Sequence, residues 1–342
     1  MANVVQTSFS HTYAGKEILT DIFFAPEENV PAISELYKFI QTVDKSNIYL
    51  PAKLRKIFRK YSTCGFSAAG GTLNITDKVI STEKIKANVE ECVDQFTDTI
   101  FAEVLKTGVN VDDLSNTIID QIIRRQIVNA AKSDIHRMLW FADAADADSD
   151  WNQFDGFISL FLDNSAAIGA DCFLNLDPTA FEASDVLAAD GALGAMRQLW
   201  GAQSAELRAM DNKVFYVTHT VADNLRTTYE DTQSSQGLQR LISTNGKEML
   251  SFRGVPVIEV PEWDANLADS TNPHYTGSGL SIGSNLIVYT TPDNLIFGSD
   301  VVSPGNEFKF RYNDDDSEKL KVVSKFKLGA QFVHPSLVCI AY

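Results

Sequence analysis

Cysteine is scarce in this chain, and what there is does not cluster. Cys64, Cys92, Cys172 and Cys339 stand far apart in 342 residues, with no Cys-x-x-Cys pair. That spacing offers no zinc-ligand set and no disulfide framework, and it reads as buried thiols in a reducing compartment. Histidine is equally sparse. His11, His136, His219, His274 and His334 are scattered with no His-Glu-x-x-His run, and His136 and His334 read as structural. No apolar run approaches the ~20 residues that span a bilayer. The opening Met1-Ala-Asn-Val-Val-Gln6 lacks the charged and apolar blocks of a signal peptide, so the chain is expected to be cytoplasmic when made. Positive charge is in deficit: 29 Lys and Arg against 45 Asp and Glu leave a net charge of −16. Such a balance argues against a surface built to grip nucleic-acid phosphates, which relies on clustered Lys and Arg.

Signatures of catalysis are missing too. Asp146-x-Asp148-x-Asp150 starts like a calcium loop, but Trp151 stands where that loop needs Gly, and Phe157 where it needs Glu. The segment reads as a solvated acidic linker. Gly277-Ser-Gly279-Leu-Ser-Ile-Gly283 has its third glycine one place late for a dinucleotide fingerprint, and a strand follows where a helix should open. A Ser-His-Asp triad is a matter of geometry that sequence does not decide. Asn74-Ile-Thr76 is a formal glycosylation sequon made incidental by the lack of a secretory signal. Trp140, Trp151, Trp200 and Trp263 have no interleaved basic residues, so they read as core or interface anchors and not as a base-stacking platform.

What is present is ordinary globular composition, with 44% apolar and 22% charged residues, long enough for one elaborate domain or two intertwined ones. Residues 1–50 read as an arm punctuated by Pro26, Pro31 and Pro51, with one helix predicted over Ile33–Thr42. A basic cluster follows: Lys53, Arg55, Lys56, Arg59 and Lys60. It is either a solvated helix face or an electrostatic contact with an acidic neighbour, most simply another copy of the chain. Tyr61–Lys86, with Gly70-Gly71 near its centre, predicts a projecting hairpin with a glycine-rich tip.

The strongest local signal is a helix over Val111–Trp140, capped by Asn110 with Asp112 and Asp113 in its first turn. It would run roughly 45 Å at 1.5 Å per residue. Beyond the turn Trp151–Phe157, a helix capped by Ser184 runs through Trp200. A strand is predicted at Val214–Thr218, a helix opening on a Thr220/Asp223 capping box, and a hairpin across Arg253-Gly254. An exposed loop is predicted over Asp269–Ser284. The last sixty residues read as strands: Leu286–Thr290, Leu295–Phe297 after Pro292-Asp293-Asn294, a long hairpin around Asn313–Asp316, and a C-terminus built into a sheet.

In this order, the arm, the glycine-rich hairpin, the long helix and the Trp151–Gly156 turn resemble the major capsid proteins of tailed bacteriophages, the Hong Kong 97-type fold. So do Val214-Phe-Tyr-Val-Thr218, Phe252–Trp263, Asn285–Thr291, Asn294–Asp300 and Phe332-Val-His-Pro-Ser-Leu337. The resemblance spans nearly the whole chain and rests on the order of the pieces. It implies an α+β fold with an N-terminal arm (1–50), an extended loop and flanks (51–88), and a peripheral domain with a spine helix (89–164). An axial domain (165–285) and C-terminal strands returning to the peripheral domain (286–342) complete it.

The implied protein is not an enzyme and needs no cofactor or metal. It would self-assemble into hexamers and pentamers of an icosahedral virion shell, built in the host cytoplasm. Its flat edges and extended arms would be ordered on assembly. The shell would enclose double-stranded DNA without sequence-specific binding, its acidic wall holding the DNA off. Partners implied are other copies, with scaffolding, portal and decoration proteins, and no membrane. The family often carries a cleaved scaffolding extension; a chain opening on the arm implies scaffolding that is separate or already removed. Some members cross-link through a lysine of the extended loop, and Lys78 and Lys84 lie near that region. Lys53, Arg55, Lys56, Arg59 and Lys60 then become candidates for contact between copies. The rival readings are an encapsulin-like compartment shell and a carboxylate-dependent hydrolase.

Overall fold

The computed structural model describes residues 10–14, 36–41, 45–50, 76–92, 118–174, 187, 190–232, 238–242, 248–274, 285–300, 307–313 and 319–342. The N-terminal part gives β1 (Ser10–Ala14), β2 (Lys38–Gln41), β3 (Lys45–Leu50), β4 (Thr76–Ser81) and β5 (Glu83–Cys92). Then come α1 (Ile118–Phe141), α2 (Phe157–Asp163), α3 (Ser165–Ile168), the short β6 (Phe173–Leu174), α4 (Gly191–Ala202) and α5 (Ala205–Arg208). The middle continues with β7 (Val214–Val217), α6 (His219–Thr232), β8 (Leu238–Ile242), β9 (Glu248–Phe252), β10 (Val255–Glu259) and α7 (Pro261–Leu267). It closes on β11 (Ile287–Thr290), β12 (Leu295–Ser299), β13 (Glu307–Asn313), β14 (Lys319–Phe332) and β15 (Cys339–Ala341).

Two large sheets organise these elements. One runs β6-β15-β11-β7-β10-β9-β8. Its central strands β7 and β11 are buried along their whole length, as apolar runs such as Val214-Phe-Tyr-Val217 require. The C-terminal β15 sits inside this sheet, antiparallel to β11 and parallel to β6. The other sheet runs β1-β13-β14-β12-β2, with β5 added on β14. Leu328 of β14 pairs with both Ser299 and Glu83, so β12 and β5 flank its two sides. A separate pair, β3-β4, completes the strands.

The sheets meet α1 and α2 in a core of aromatic side chains. Trp140 packs edge-on against Trp263 at 4.6 Å and against Phe157 at 5.1 Å, spacings at which edge-to-face pairs are attractive. Tyr37 lies in the middle, within about 6.5 Å of Trp140, Phe157, Tyr216 and Phe297. Its hydroxyl accepts the Trp140 indole N–H at 2.6 Å, and the Tyr216 hydroxyl donates to the Leu36 carbonyl at 2.6 Å. The Trp151–Gly156 turn closes on the end of α1. A Cβ at Gly156 would meet the Met138 and Trp140 carbonyls at 2.9 Å, so only glycine fits.

Several expectations need correction. Helix was expected over Ile33–Thr42, but Lys38–Gln41 forms β2, parallel to β12. That pairing reaches across more than 250 residues of chain, and local periodicity does not register it. The arm is not ordered by assembly throughout, since β1, β2 and β3 pair within their own subunit. Of the hairpin predicted over Tyr61–Lys86, residues 61–75 lie outside the described residues, and β4 pairs with β3 at Lys45–Leu50. Helix α4 opens at Gly191, after Asp190 in the left-handed region at φ 61, and Ser184 lies outside the described residues. Helix α6 opens at His219, whose backbone N–H donates to the Asp264 carboxylate at 3.0 Å, so a distant Asp meets the first turn.

Two cysteines are not thiols. Parallel pairing of Ile340 with Phe173 brings Cys339 beside Cys172, and the two form a disulfide. The predicted Arg253-Gly254 hairpin is present, with φ 50 and φ 82 at the two turn residues, the left-handed pair a tight two-residue turn needs. The described part of the spine helix is 24 residues, and Val111–Thr117 lie outside the described residues.

Candidate functional site

The predicted contact cluster Lys53, Arg55, Lys56, Arg59 and Lys60 lies outside the described residues, as does Gly277–Gly283. Among the described residues no group of three or more His, Cys, Asp or Glu side chains converges to hold a metal ion. The nearest thing to a catalytic pair is Ser159 and His274, with Oγ and Nε2 3.0 Å apart. Both are buried, and the Ser159 hydroxyl donates to the Ala142 carbonyl at 2.7 Å. A serine that gives its proton to a backbone carbonyl is not being deprotonated by its histidine. Burial also pushes the His274 pKa down. The pair is a tie between α2 and the 269–274 loop.

The acidic linker has a definite geometry. Asp143, Asp146 and Asp148 each accept, through Oδ1, the backbone N–H two residues on, at 2.9, 2.7 and 3.0 Å. Asp155 accepts the Ala144 N–H at 3.0 Å. These are Asx turns, so the carboxylates satisfy the loop's own backbone. The loop is anchored from below: Trp151 is buried, its indole N–H donates to Thr271 at 3.0 Å, and the Arg137 guanidinium lies 5.1 Å over its ring. Arg137 also donates to the Asp150 carbonyl. The result is a surface loop with five carboxylates between Asp143 and Asp155, fixed in place before any partner arrives.

Lys78 of the expected extended loop bonds within its own subunit. Its ammonium donates to the Phe332 carbonyl at 3.1 Å and lies 3.4 Å over the Phe332 ring. Partial burial lowers its pKa to about 8. Gln331 adds a side-chain bond to the Val79 carbonyl at 3.2 Å, so β4 is stapled across the end of β14. At the same crossing a Cβ on Gly329 would lie 2.1 Å from the Ser81 carbonyl oxygen.

Lys84 belongs to a feature that sequence reading missed. Along the β5–β14 ladder, Lys84 stands directly opposite Lys327, Lys86 opposite Lys325, and Glu90 opposite Lys321. Residues directly opposed in an antiparallel pair share a face, and alternation puts every second residue on it. Lys84, Lys86 and Lys325 are exposed, and Lys321 and Lys327 half-exposed. The intervening residues Ser324, Phe326 and Leu328 are buried. The register places Lys319 of β14 and Lys309 and Arg311 of β13 in positions that continue the row, and sets Glu307 of β13 opposite Lys325. Glu90 approaches Lys321 at 3.7 Å. Like charges directly opposed on a sheet are destabilising by roughly 0.2–1 kcal/mol a pair. Neither Lys84/Lys327 nor Lys86/Lys325 is a pair of opposite charges. No sequence window shows this row, because its halves lie more than 230 residues apart.

No protein-family model and no curated protein matches this chain. Solved structures do. A chain of the satellite phage P4 procapsid, which includes the size determination (Sid) protein, aligns at a TM-score of 0.54 and 9% identity, covering 95% of this chain and 98% of that one. A chain from the capsid of an empty GTA particle aligns at 0.52 and 10% identity, covering 92% and 93%. One from Gordonia phage Cozz aligns at 0.52 and 15% identity, covering 90% and 85%. At these identities the likeness speaks to fold. The chain has the α+β, Hong Kong 97-type fold that the order of its sequence elements implied.

Proposed function

We propose that this chain is the major capsid protein of a tailed bacteriophage, assembling into hexamers and pentamers of an icosahedral head around double-stranded DNA. The observation that carries the reading is the end-to-end fold match: 95% of this chain aligns with 98% of a phage procapsid chain. No large insertion remains to house a separate activity. Ser159, His274 and the Asp143, Asp146, Asp148 and Asp155 carboxylates are engaged in local hydrogen bonds. The subunit would act in the virion by its shape. The 1–50 arm, 51–88 loop, 89–164 and 286–342 peripheral parts and the 165–285 axial part are the working division of labour. Scaffolding, portal and decoration proteins are the expected further partners.

The test is electron microscopy with light scattering on the purified full chain across protein concentration and salt. Closed shells, or hexamers and pentamers on the way to them, are the expected result. A compact monomer at every condition would overturn the reading. Shells from the native source that enclose a protein cargo without DNA would reassign the chain to a compartment.

A further inference from the structure

Strand β5 lies at the edge of its sheet. Among the described residues it pairs with β14 alone, which leaves every second N–H and C=O along its other side without a neighbouring strand. It is ten residues long and contains no proline, and a long open edge is a template for another strand. Both of its faces are bare. Lys84, Lys86, Asn88 and Glu90 on one face are exposed, and so are Ala87 and Val89 on the other. Val89, at 39%, is an apolar side chain left in water.

We propose that this edge is an interface between copies of the chain, and that its occupant is β5 of a second copy, added antiparallel about a two-fold axis at Ala87. The inference names a contact by which copies would meet, and so rests on the shell reading. Register selects this occupant. Centred on Ala87, the pairing sets Lys84 opposite Glu90 of the second copy and Ile85 opposite its Val89, each twice by symmetry. One face gains two opposite-charge pairs and the other covers Val89 with Ile85, both of them cross-strand pairs that stabilise sheets. Like charges meet only at the outermost position, Glu83 opposite Glu91. A slip of one residue exchanges the faces and sets Val89 against Lys84 or Lys86. A slip of two sets either Lys86 against Lys86 or Ile85 against Glu91. Within its own subunit Glu90 keeps Lys321 at 3.7 Å, so the new contact breaks no existing pair.

The test is a symmetric cross-link in the full chain, with Cys64 and Cys92 replaced by serine. Ala87→Cys sets a thiol opposite its own copy, at a Cβ spacing of about 4.5–5.5 Å that a disulfide closes with a small shift. Ile85→Cys is the control, because two copies of residue 85 would lie about 13 Å apart along the strands. After assembly and oxidation by glutathione disulfide, non-reducing electrophoresis should show covalent dimers for Ala87→Cys and not for Ile85→Cys. Charge exchange supplies a second arm, with folding checked by circular dichroism. Lys84→Glu should raise the protein concentration needed for shells about tenfold, and adding Glu90→Lys should restore most of the loss. Shells that form without the Ala87→Cys dimer, or a Lys84→Glu chain that assembles like the original, overturn the edge contact and leave the shell reading intact. An Ala87→Cys thiol that links instead to a different protein in particles from the native source gives the edge to that partner and overturns the proposal as well. An original chain that stays monomeric overturns the shell reading itself, and this inference with it.

Discussion

Replacing Tyr37 by Phe removes one oxygen and no apolar surface, yet it is expected to destabilise the subunit by about 1–3 kcal/mol. The Tyr37 side chain is buried at the junction of the arm, α1 and both large sheets, and its hydroxyl takes the Trp140 indole N–H at 2.6 Å. Without that oxygen the N–H stays buried with its acceptor gone, and it is the unmet donor that costs. The ring itself remains to fill the space between Trp140, Phe157 and Phe297, so no cavity term is added. Tyr37→Ala would add one and should cost about 3–5 kcal/mol, as large aromatic deletions do. The discriminating measurement is a double-mutant cycle with Trp140→Phe, read by urea unfolding of unassembled subunits through the remaining tryptophans. If the pair interacts as described, the double variant loses less than the sum of the singles by about 0.5–3 kcal/mol. A Tyr37→Phe variant within about 0.3 kcal/mol of the original chain, or a cycle that adds up, would refute the placement of this arm residue in the core.

Gly329→Ala should lower stability by about 1–3 kcal/mol or more, because its Cβ would stand 2.1 Å from the Ser81 carbonyl oxygen and 3.2 Å from the Thr82 Cα, both backbone. An unchanged melting temperature would show that β4 does not cross β14 there. Burial lowers the His136 pKa from 6.5 to about 4, with Lys132 a smaller cause. The unfolded chain therefore binds the extra proton first, so stability is complete above pH 6.5 and is lost as pH falls toward 4, by about 3 kcal/mol in all. His136→Phe should flatten that part of the pH profile of urea midpoints; an identical slope would sink the assignment. Peptide mapping without reductant, after oxidation in air, should recover Cys172 linked to Cys339. Recovery of both as alkylated free thiols would contradict the disulfide.

The legible parts of the fold were those with a short-range cause. Strand β14 alternates between outward lysines and buried residues, the Arg253-Gly254 turn carries the two left-handed residues its hairpin needs, and α1 keeps a helical stripe through Ile135, Met138 and Leu139, all buried. The illegible parts depend on a distant partner. Leu36-Tyr37 reads as the edge of a helix until Trp140 and Tyr216 bond to it. Pro261–Leu267 shows no helix by sequence pattern, yet it forms α7, with Pro261 at its first position and Trp263 buried against Trp140. Cys172 and Cys339 look unrelated across 167 residues until two strands run parallel. The expected contact residues share the limitation. A run such as Lys53–Lys60 announces itself in sequence, whereas the Lys84/Lys327 and Lys86/Lys325 pairs exist only through register.

That difference bears on how copies of an acidic chain would meet in the proposed shell. Subunits with a net charge of −16 repel one another at long range, so attraction must come from contacts shorter than the screening length. Within the subunit, stability is lodged elsewhere, in the aromatic junction around Tyr37 and Trp140. The arm takes part in that junction through Leu36, Tyr37 and β2. A segment that is also core cannot be released without loosening the subunit. On β14 the surface and the core are separated residue by residue, with Phe326 and Leu328 facing inward between lysines that face out.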